Sequence, residues 1–396
     1  MKVYIVGAGA DGEKGLTVQG RSAIGEAGLL IGSKRLVERF EDMGKEIYVT
    51  YKPEDIAKRL KNSSADCAAV LMSGDCGFYS GAKALLPMLT GHEVKVIGGV
   101  SSMVYMCSEL GLDYENMKAI SLHGRKGYAA INVKLHEKCF FLLGGEIGAD
   151  ELCRHLCSHG LGNVTVYIGA DLGYEEQRII SGRADELREC RVSKLCSVIT
   201  VNPGYLRHIP ACIDDGQFIR DKVPMTKAEV RCAAVAMLNI GRDSVCWDIG
   251  SGTGAVSVEM AYRCPQGEVY AFDKAPEAAA LTEKNAGRFA CDNIICKQGE
   301  CPEMLRNVPA PQKVFIGGTS GNMEAIFAAV HHKNPRADVA VTAVSLETLE
   351  EARQCFGYYG VNCSVTQIAV TRTKTVGEHT MFDAQNPVFI IRGRLR

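Results

Sequence analysis

The sequence predicts an α/β protein with parallel sheets, organised as two units. Three observations carry this. Strand-like apolar runs alternate with helix-like segments in both halves of the chain. Two of those runs, Lys2–Gly9 and Ser244–Gly254, end in glycine-rich turns, as buried parallel strands do when they feed a ligand loop. Between the halves lies a stretch dense in turn residues, with Asn-Pro-Gly, Ile-Pro, Asp-Asp-Gly and Val-Pro between Asn202 and Val223. The 396 residues fit two or three domains at about 150 residues each. The expected division is 1–203, a linker at 204–222, and 223–396.

In the first half, beyond the Lys2–Gly9 strand–turn unit, strands are predicted at Glu46–Thr50, Ala68–Ser73, Val94–Gly98, Cys139–Leu143, Val164–Ile168 and Ser197–Val201. Helices are predicted at Pro53–Leu60, Ser80–Leu89 and Ser102–Leu110. In the second half, Lys227–Leu238 has helical periodicity. Strands follow at Val245–Ile249, Glu268–Phe272, Asn293–Lys297, Lys313–Ile316, Asp338–Ala343 and Ser364–Ala369, with a helix at Ala255–Cys264.

Composition narrows the function. The chain has 45 Lys+Arg against 46 Asp+Glu, so it lacks the basic excess of a general nucleic-acid binder. At 46% hydrophobic and 23% charged it is not a mainly disordered chain. The 17 cysteines include Cys67, Cys139 and Cys246 inside apolar runs, which reads as buried thiols in a reducing compartment. Cys153 and Cys157 interleave with His155 and His159, and Cys291, Cys296 and Cys301 are spaced by five. Neither set has the paired C-x-x-C of a structural zinc site, so no metal is expected. The N-terminus has no leader pattern, and the apolar runs fall short of the roughly 18 residues a membrane span needs. A cytoplasmic protein without a membrane partner is expected.

The second glycine turn, Asp248-Ile-Gly-Ser-Gly-Thr-Gly254, joins a strand to a helix. Glycines there let backbone N–H groups approach a ligand closely. The next strand ends at Asp273, an acid suited to a ribose diol. The strand after it leads into Gly299-Glu-Cys-Pro302, placed to flank an adenine. The turn is neither a P-loop nor G-x-G-x-x-G, and it resembles motif I of the Rossmann-like S-adenosylmethionine (SAM) methyltransferases. With Pro224-Met-Thr-Lys-Ala-Glu-Val-Arg231, Val314-Phe-Ile-Gly-Gly-Thr-Ser-Gly321 and Asn386-Pro-Val-Phe-Ile-Ile391, residues 223–396 are similar to the decarboxylating precorrin carbon-15 methyltransferases of cobalamin biosynthesis. The resemblance implies SAM contacts at Thr226, Gly250, Ser251, Gly252, Thr253, Gly254, Asp273, Glu300 and Cys301, with Cys301 standing where that family usually has Ala. Gly-Gly-Thr-Ser-Gly replaces the Asn-Pro-Pro-Tyr motif of many amino-methyltransferases, which argues against a nitrogen acceptor.

The first turn, Gly7-Ala-Gly-Ala-Asp-Gly12, fits G-x-G-x-x-G literally. A dinucleotide site also needs an acid at the end of the next strand, and Gly28-Leu-Leu-Ile-Gly-Ser33 lacks one. Together with Ser73-Gly-Asp-Cys-Gly77 and Ile97-Gly-Gly-Val-Ser-Ser102, the turn resembles the tetrapyrrole methylases, and Ser121-Leu-His-Gly-Arg125 resembles the precorrin carbon-5 enzymes among them. The resemblance covers about residues 1–200 and implies a bilobal αβα fold. It implies SAM contacts at Gly7, Gly9, Ser73, Gly74, Asp75, Val100, Ser101 and Ser102. Cys76 departs from the usual Pro, so it releases a fixed φ but leaves Gly74 and Asp75 in place. Ser101 and Ser102 also suit a helix cap.

Two different SAM folds in one chain imply two methylations of one tetrapyrrole substrate, a precorrin expected in its cobalt-bound form. The acceptor is rich in carboxylates, so cations near the clefts are expected to hold it. Arg125, Lys126, Arg231, Arg263, Arg372 and Lys374 are candidates for this, each with an ordinary surface role as its alternative. Glu229, His379 and Arg372 are the candidates for catalytic groups. Related methylases imply a homo-oligomer. The rival readings are a SAM enzyme acting on RNA, an NAD-linked oxidoreductase using Gly7–Gly12, and a non-catalytic SAM-binding scaffold.

Overall fold

A computed structural model of the chain describes residues 1–10, 15–123, 127–144, 147–193 and 195–396. They form two compact units. The first comprises Met1–Lys126, Lys138–Cys153 and Val164–Val201; the second comprises Gly127–Glu137, Arg154–Asn163 and Asn202–Arg396. Among the described residues, no helix is long and apolar enough to cross a membrane.

The first unit holds two sheets. One contains β1 (Lys2–Gly7), β2 (Leu29–Gly32), β3 (Glu46–Val49), β4 (Cys67–Met72) and β5 (Glu93–Ile97), all parallel, in the order β3-β2-β4-β1-β5. Side chains alternate across it: Tyr4 and Val6 join one apolar layer, Val3 and Ile5 the other. Both faces are covered, so β1 reads as a continuous apolar run.

The other sheet contains β6 (Lys118–Ser121), β7 (Lys138–Leu142), β8 (Thr165–Ala170), β9 (Arg178–Arg183) and β10 (Cys196–Val201), in the order β6-β7-β10-β8-β9. Here the parallel expectation fails. Only β6 and β7 are parallel, and the remaining pairs are antiparallel. The β8–β9 hairpin needs no crossover helix, so helix–strand alternation in sequence says nothing about it.

The second unit is built on β11 (Val245–Ile249), β12 (Glu268–Asp273), β13 (Ile294–Gln298), β14 (Lys313–Ile316), β15 (Asp338–Ala343) and β16 (Ser364–Ile368). An antiparallel hairpin follows, β17 (Thr371–Val376) and β18 (His379–Ala384), then β19 (Val388–Arg394). The main sheet runs β13-β12-β11-β14-β15-β19-β16, with only β19 antiparallel to its neighbours. The strand order reverses between β11 and β14, which is where open α/β sheets leave a crevice at the carboxyl ends of their strands. Trp247 and Ile249 face one apolar layer, Cys246 the other. The stretch 204–222 is irregular apart from a short 3-10 turn, yet it is packed, with Ile213 and Phe218 buried in the second layer.

Candidate active sites

The loop after β11 lies in that crevice. Gly250, Gly252 and Gly254 all have φ between 56° and 75°, a left-handed conformation that other residues rarely adopt. A Cβ on Gly250 would stand 2.7 Å from the Gly318 nitrogen, and one on Gly252 would stand 2.7 Å from the Pro224 carbonyl oxygen. The loop is fixed at its base, because Gly250 and Ser251 both donate to the Phe272 carbonyl, at 2.9 and 3.0 Å. Asp273 accepts the Gly252 N–H at 2.9 Å on one carboxylate oxygen and the Ala275 N–H at 3.0 Å on the other.

Around the loop is a cavity of about 880 Å³. Of the nine residues expected there, Thr226, Gly250, Ser251, Gly252, Thr253, Asp273, Glu300 and Cys301 line it, and Gly254 does not. Gly254 is instead the helix N-cap, where a Cβ would meet the Thr282 side chain at 2.8 Å. Burial pushes the Cys301 thiol up to about 12, so its side chain is a neutral wall. Its carbonyl accepts from the Asn322 amide at 3.1 Å.

One wall of the cavity is the strap 221–227, and its fastening was not legible in the sequence. Arg231, nominated as a cleft cation, is fully buried. It donates to the Thr226 carbonyl at 2.7 Å, to Glu259 at 2.7 Å, to Asp215 at 3.1 Å and to the Ile213 carbonyl, and it packs over the Phe218 ring. Arg231 therefore holds the strap and is unavailable to a substrate. Asn285, also fully buried, joins Ile219 to Thr253.

The catalytic candidates lie outside the cavity lining. Arg372 donates to both oxygens of Glu229, at 3.0 and 2.6 Å, and to Asp215 at 3.1 Å. Its guanidinium holds the Glu229 carboxyl below the usual range, which is the wrong direction for a proton donor at neutral pH. His379 is exposed at the start of β18. Lys374 pairs with Asp383 at 2.6 Å, and Arg263 donates to the Glu259 and Ala211 carbonyls at 2.8 and 3.0 Å. Beneath the loop, Asp248 is fully buried. It accepts the Ser257 hydroxyl at 2.5 Å, and burial, with the Asp273 charge adding to it, pushes its carboxyl up to about 7.

In the first unit, the three expected loops meet. Gly9 and Gly74 exchange backbone hydrogen bonds at 3.0 and 3.3 Å. Asp75 accepts the Gly77 N–H at 2.8 Å and the Gly99 N–H at 2.9 Å, so its carboxylate ties two loops together. Gly9, Ser73, Gly74, Asp75, Ser101 and Ser102 line a cavity of about 180 Å³. Gly7 and Val100 do not line it. Gly7 is buried where a Cβ would stand 2.7 Å from the Gly99 nitrogen. Ser101 caps the helix Ser102–Leu110 by accepting the Val104 N–H at 3.2 Å. Cys76 sits in the core, with its thiol against the Ile5 and Ile97 carbonyls and pushed up to about 12 by burial, so it does not reach the cavity. Arg35, Arg39 and Tyr174, none of them nominated from sequence, also line it. Residues 11–14, Arg125 and Lys126 lie outside the described residues.

Residues 2–188 match the tetrapyrrole (corrin/porphyrin) methylases, and residues 216–393 match the precorrin methyltransferase domain. A probable cobalt-precorrin-6B C(15)-methyltransferase (decarboxylating) from Pyrobaculum calidifontis is 40% identical over 182 residues, 45% of this chain and 93% of that protein. A precorrin-6Y C(5,15)-methyltransferase [decarboxylating] from a Sinorhizobium species is 25% identical over 397 residues, 97% of this chain and 94% of that protein. A crystal structure of a precorrin-6y C5,15-methyltransferase from Geobacter metallireducens is 34% identical, covering 47% of this chain and 98% of that one, with a TM-score of 0.45. The chain belongs to the precorrin methyltransferases, with a tetrapyrrole methylase half preceding a precorrin methyltransferase domain.

Proposed function

We propose that the chain is a bifunctional SAM-dependent methyltransferase of corrin-ring biosynthesis. The domain at 223–396 methylates carbon 15 of cobalt-bound precorrin-6B as the carbon-12 acetate arm loses CO₂. The domain at 1–203 then methylates carbon 5 of the resulting precorrin-7 to give precorrin-8. The observation that carries this is the presence of two glycine-loop cavities, one in each unit, in a chain that aligns along 97% of its length with a C(5,15) relative.

Bound SAM, one molecule per domain, supplies an electrophilic methyl group. The protein's task is alignment. A cavity of about 880 Å³ whose glycine loop can admit no Cβ at Gly250 or Gly252 suits such a ligand. Asp273 keeps lone pairs beyond its two backbone bonds and accepts the ribose hydroxyls. Thr226 and Cys301 wall the cavity, Glu300 borders it, and Gly9, Gly74 and Ser101 do the corresponding work in the first unit. We assign neither Glu229, Arg372 nor His379 to the reaction, because the first two neutralise each other and the third is exposed on the hairpin. A cytoplasmic homo-oligomer is the proposed assembly; Val376 and Met381, exposed on one face of the hairpin, and Phe382, exposed on the other, are apolar side chains that support association.

The test incubates the full chain with SAM and a precorrin-6B-type acceptor and weighs the product. Two methyl gains with one CO₂ loss are expected. An unchanged mass beside an active control enzyme refutes the reading, and calorimetric binding of NAD(H) in place of SAM favours the oxidoreductase.

A further inference from the structure

Two arginines at the first unit's cavity carry charge that no carboxylate of the described residues neutralises. Arg35 lies on the helical turn Lys34–Val37 and Arg39 on the 3-10 turn Glu38–Met43 that continues it. The neighbouring Lys34 pairs with Glu38 at 3.3 Å, so an acid is at hand and serves neither arginine. Instead both gather around one residue of the β8–β9 turn. Arg35 donates to the Tyr174 hydroxyl at 3.2 Å and to the Ser73 hydroxyl at 2.8 Å. The Arg39 guanidinium stands 5.0 Å from the centre of the Tyr174 ring.

Gathering two guanidinium groups around one tyrosine, one at its hydroxyl and one over its ring, costs Coulomb repulsion and leaves most of their ten N–H donors unused. Such an arrangement is suited to an anion that arrives with more than one oxygen pair. Leu142, Leu143 and Leu172 also line the cavity, so its lining is apolar as well as cationic. A ligand that satisfies both kinds of lining has an apolar body and carboxylate arms, and a cavity of about 180 Å³ takes only part of it.

We propose that Arg35 and Arg39, held by Tyr174, clamp the carboxylate arms of the tetrapyrrole acceptor at the first unit's site. The proposal rests on reading that unit as a tetrapyrrole methylase. It also answers the charge balance: the cations for a polyanionic substrate are local, because the chain as a whole has no excess. A carboxylate could equally come from the methionine end of SAM, and the experiment separates the two sources.

The full chain is compared with Arg35→Gln, Arg39→Gln, the double variant and Arg35→Lys. Uroporphyrin, a stable tetrapyrrole bearing carboxylate arms, is titrated by absorbance; SAM is titrated by calorimetry. The double variant is expected to weaken one class of uroporphyrin binding by about tenfold or more, with SAM affinity at both sites changed by less than about twofold. Arg35→Lys is expected to fall between, because it keeps the charge and loses the fork. In the mass assay the double variant should accumulate the singly methylated, decarboxylated product, and excess acceptor should restore the second methylation. Unchanged uroporphyrin binding in the double variant overturns the proposal. So does a loss confined to SAM binding, which assigns the clamp to the donor. If the wild-type chain methylates nothing, the enzymatic reading fails while the uroporphyrin titration still decides the clamp. Matching melting temperatures exclude misfolding as the cause of any loss.

Discussion

Asn285 pairs with Ile219 as one peptide group pairs with another: its side-chain oxygen accepts the Ile219 N–H at 2.8 Å and its amide donates to the Ile219 carbonyl at 3.0 Å. The same amide donates to the Thr253 carbonyl at 2.8 Å, so one buried side chain sets the distance between the stretch leading into the strap and the glycine loop. Asn285→Ala strands these backbone groups, at about 1–3 kcal/mol for each one left buried and unpaired. SAM affinity at the second unit's cavity should fall by about tenfold with the other site unchanged. Two-site calorimetry on the full chain checks this, and equal affinities in variant and wild type would remove Asn285 from the site.

Arg231 is the only cation in direct hydrogen bond with the Glu259 carboxylate among the described contacts, and both side chains are buried. Arg231→Met should cost about 3–5 kcal/mol, because it strips the buried Glu259 carboxylate of its close cation and leaves only Arg263, at 3.9 Å, and the Ile213 N–H. Combining it with Glu259→Gln should recover part of the loss, since the uncompensated charge goes with it. Urea midpoints of the two variants measure the difference. A double variant as weak as the single one would show that packing, not charge, dominates here.

Asp248 predicts a pH dependence. Its carboxyl titrates at about 7 in the fold, against about 4 in an unfolded chain. The raised value means the folded chain holds the proton more tightly. The associated stability is full below about pH 4 and is lost as the pH rises through about 7. Asp248→Asn cannot ionise and keeps an acceptor for Ser257. Its melting temperature relative to wild type should rise between about pH 5 and pH 8. A constant offset across that range would contradict the buried acid.

Gly99 tests the first unit alone. A Cβ there would stand 2.4 Å from the Gly74 carbonyl oxygen and 2.6 Å from that of Gly7, both backbone atoms that no rotamer change can move. Gly99→Ala should part the three loops and abolish one of the two proposed SAM sites while the other, in the second unit, keeps its affinity. Two intact sites by calorimetry would show that the loops tolerate separation.

The elements that were legible in sequence are those whose signal is local. The strands at 245–249, 313–316 and 338–343 and the helix at 102–110 fall where their apolar periodicity put them. The glycine loops were legible because positive φ and close backbone approach admit little else. Arg231 was misjudged because arginine is usually exposed; its burial depends on Asp215 and Glu259, sixteen and 28 residues away in sequence. The hairpin at 371–384 was missed because both of its faces are exposed and its few apolar residues, Val376, Met381 and Phe382, do not fall on one side, so no alternation marks it. Arg35 and Arg39 escaped notice because Tyr174, which gathers them, is more than a hundred residues downstream.

Asp292 accepts the backbone N–H groups of Ala130 and Ile131, at 2.8 and 3.0 Å, and so caps the helix Ala129–Leu135. Ile131 belongs to the apolar layer of the second unit. The relative from Pyrobaculum calidifontis aligns with less than half of this chain, so a protein of that size is built without an equivalent of the upstream half. In this chain, by contrast, a piece synthesised early closes a surface completed late. The two halves are therefore not interchangeable parts. A version beginning near residue 204 would leave Asp292 without its N–H partners and part of an apolar layer facing water, and the enzyme can be separated into its activities by point substitution more safely than by cutting.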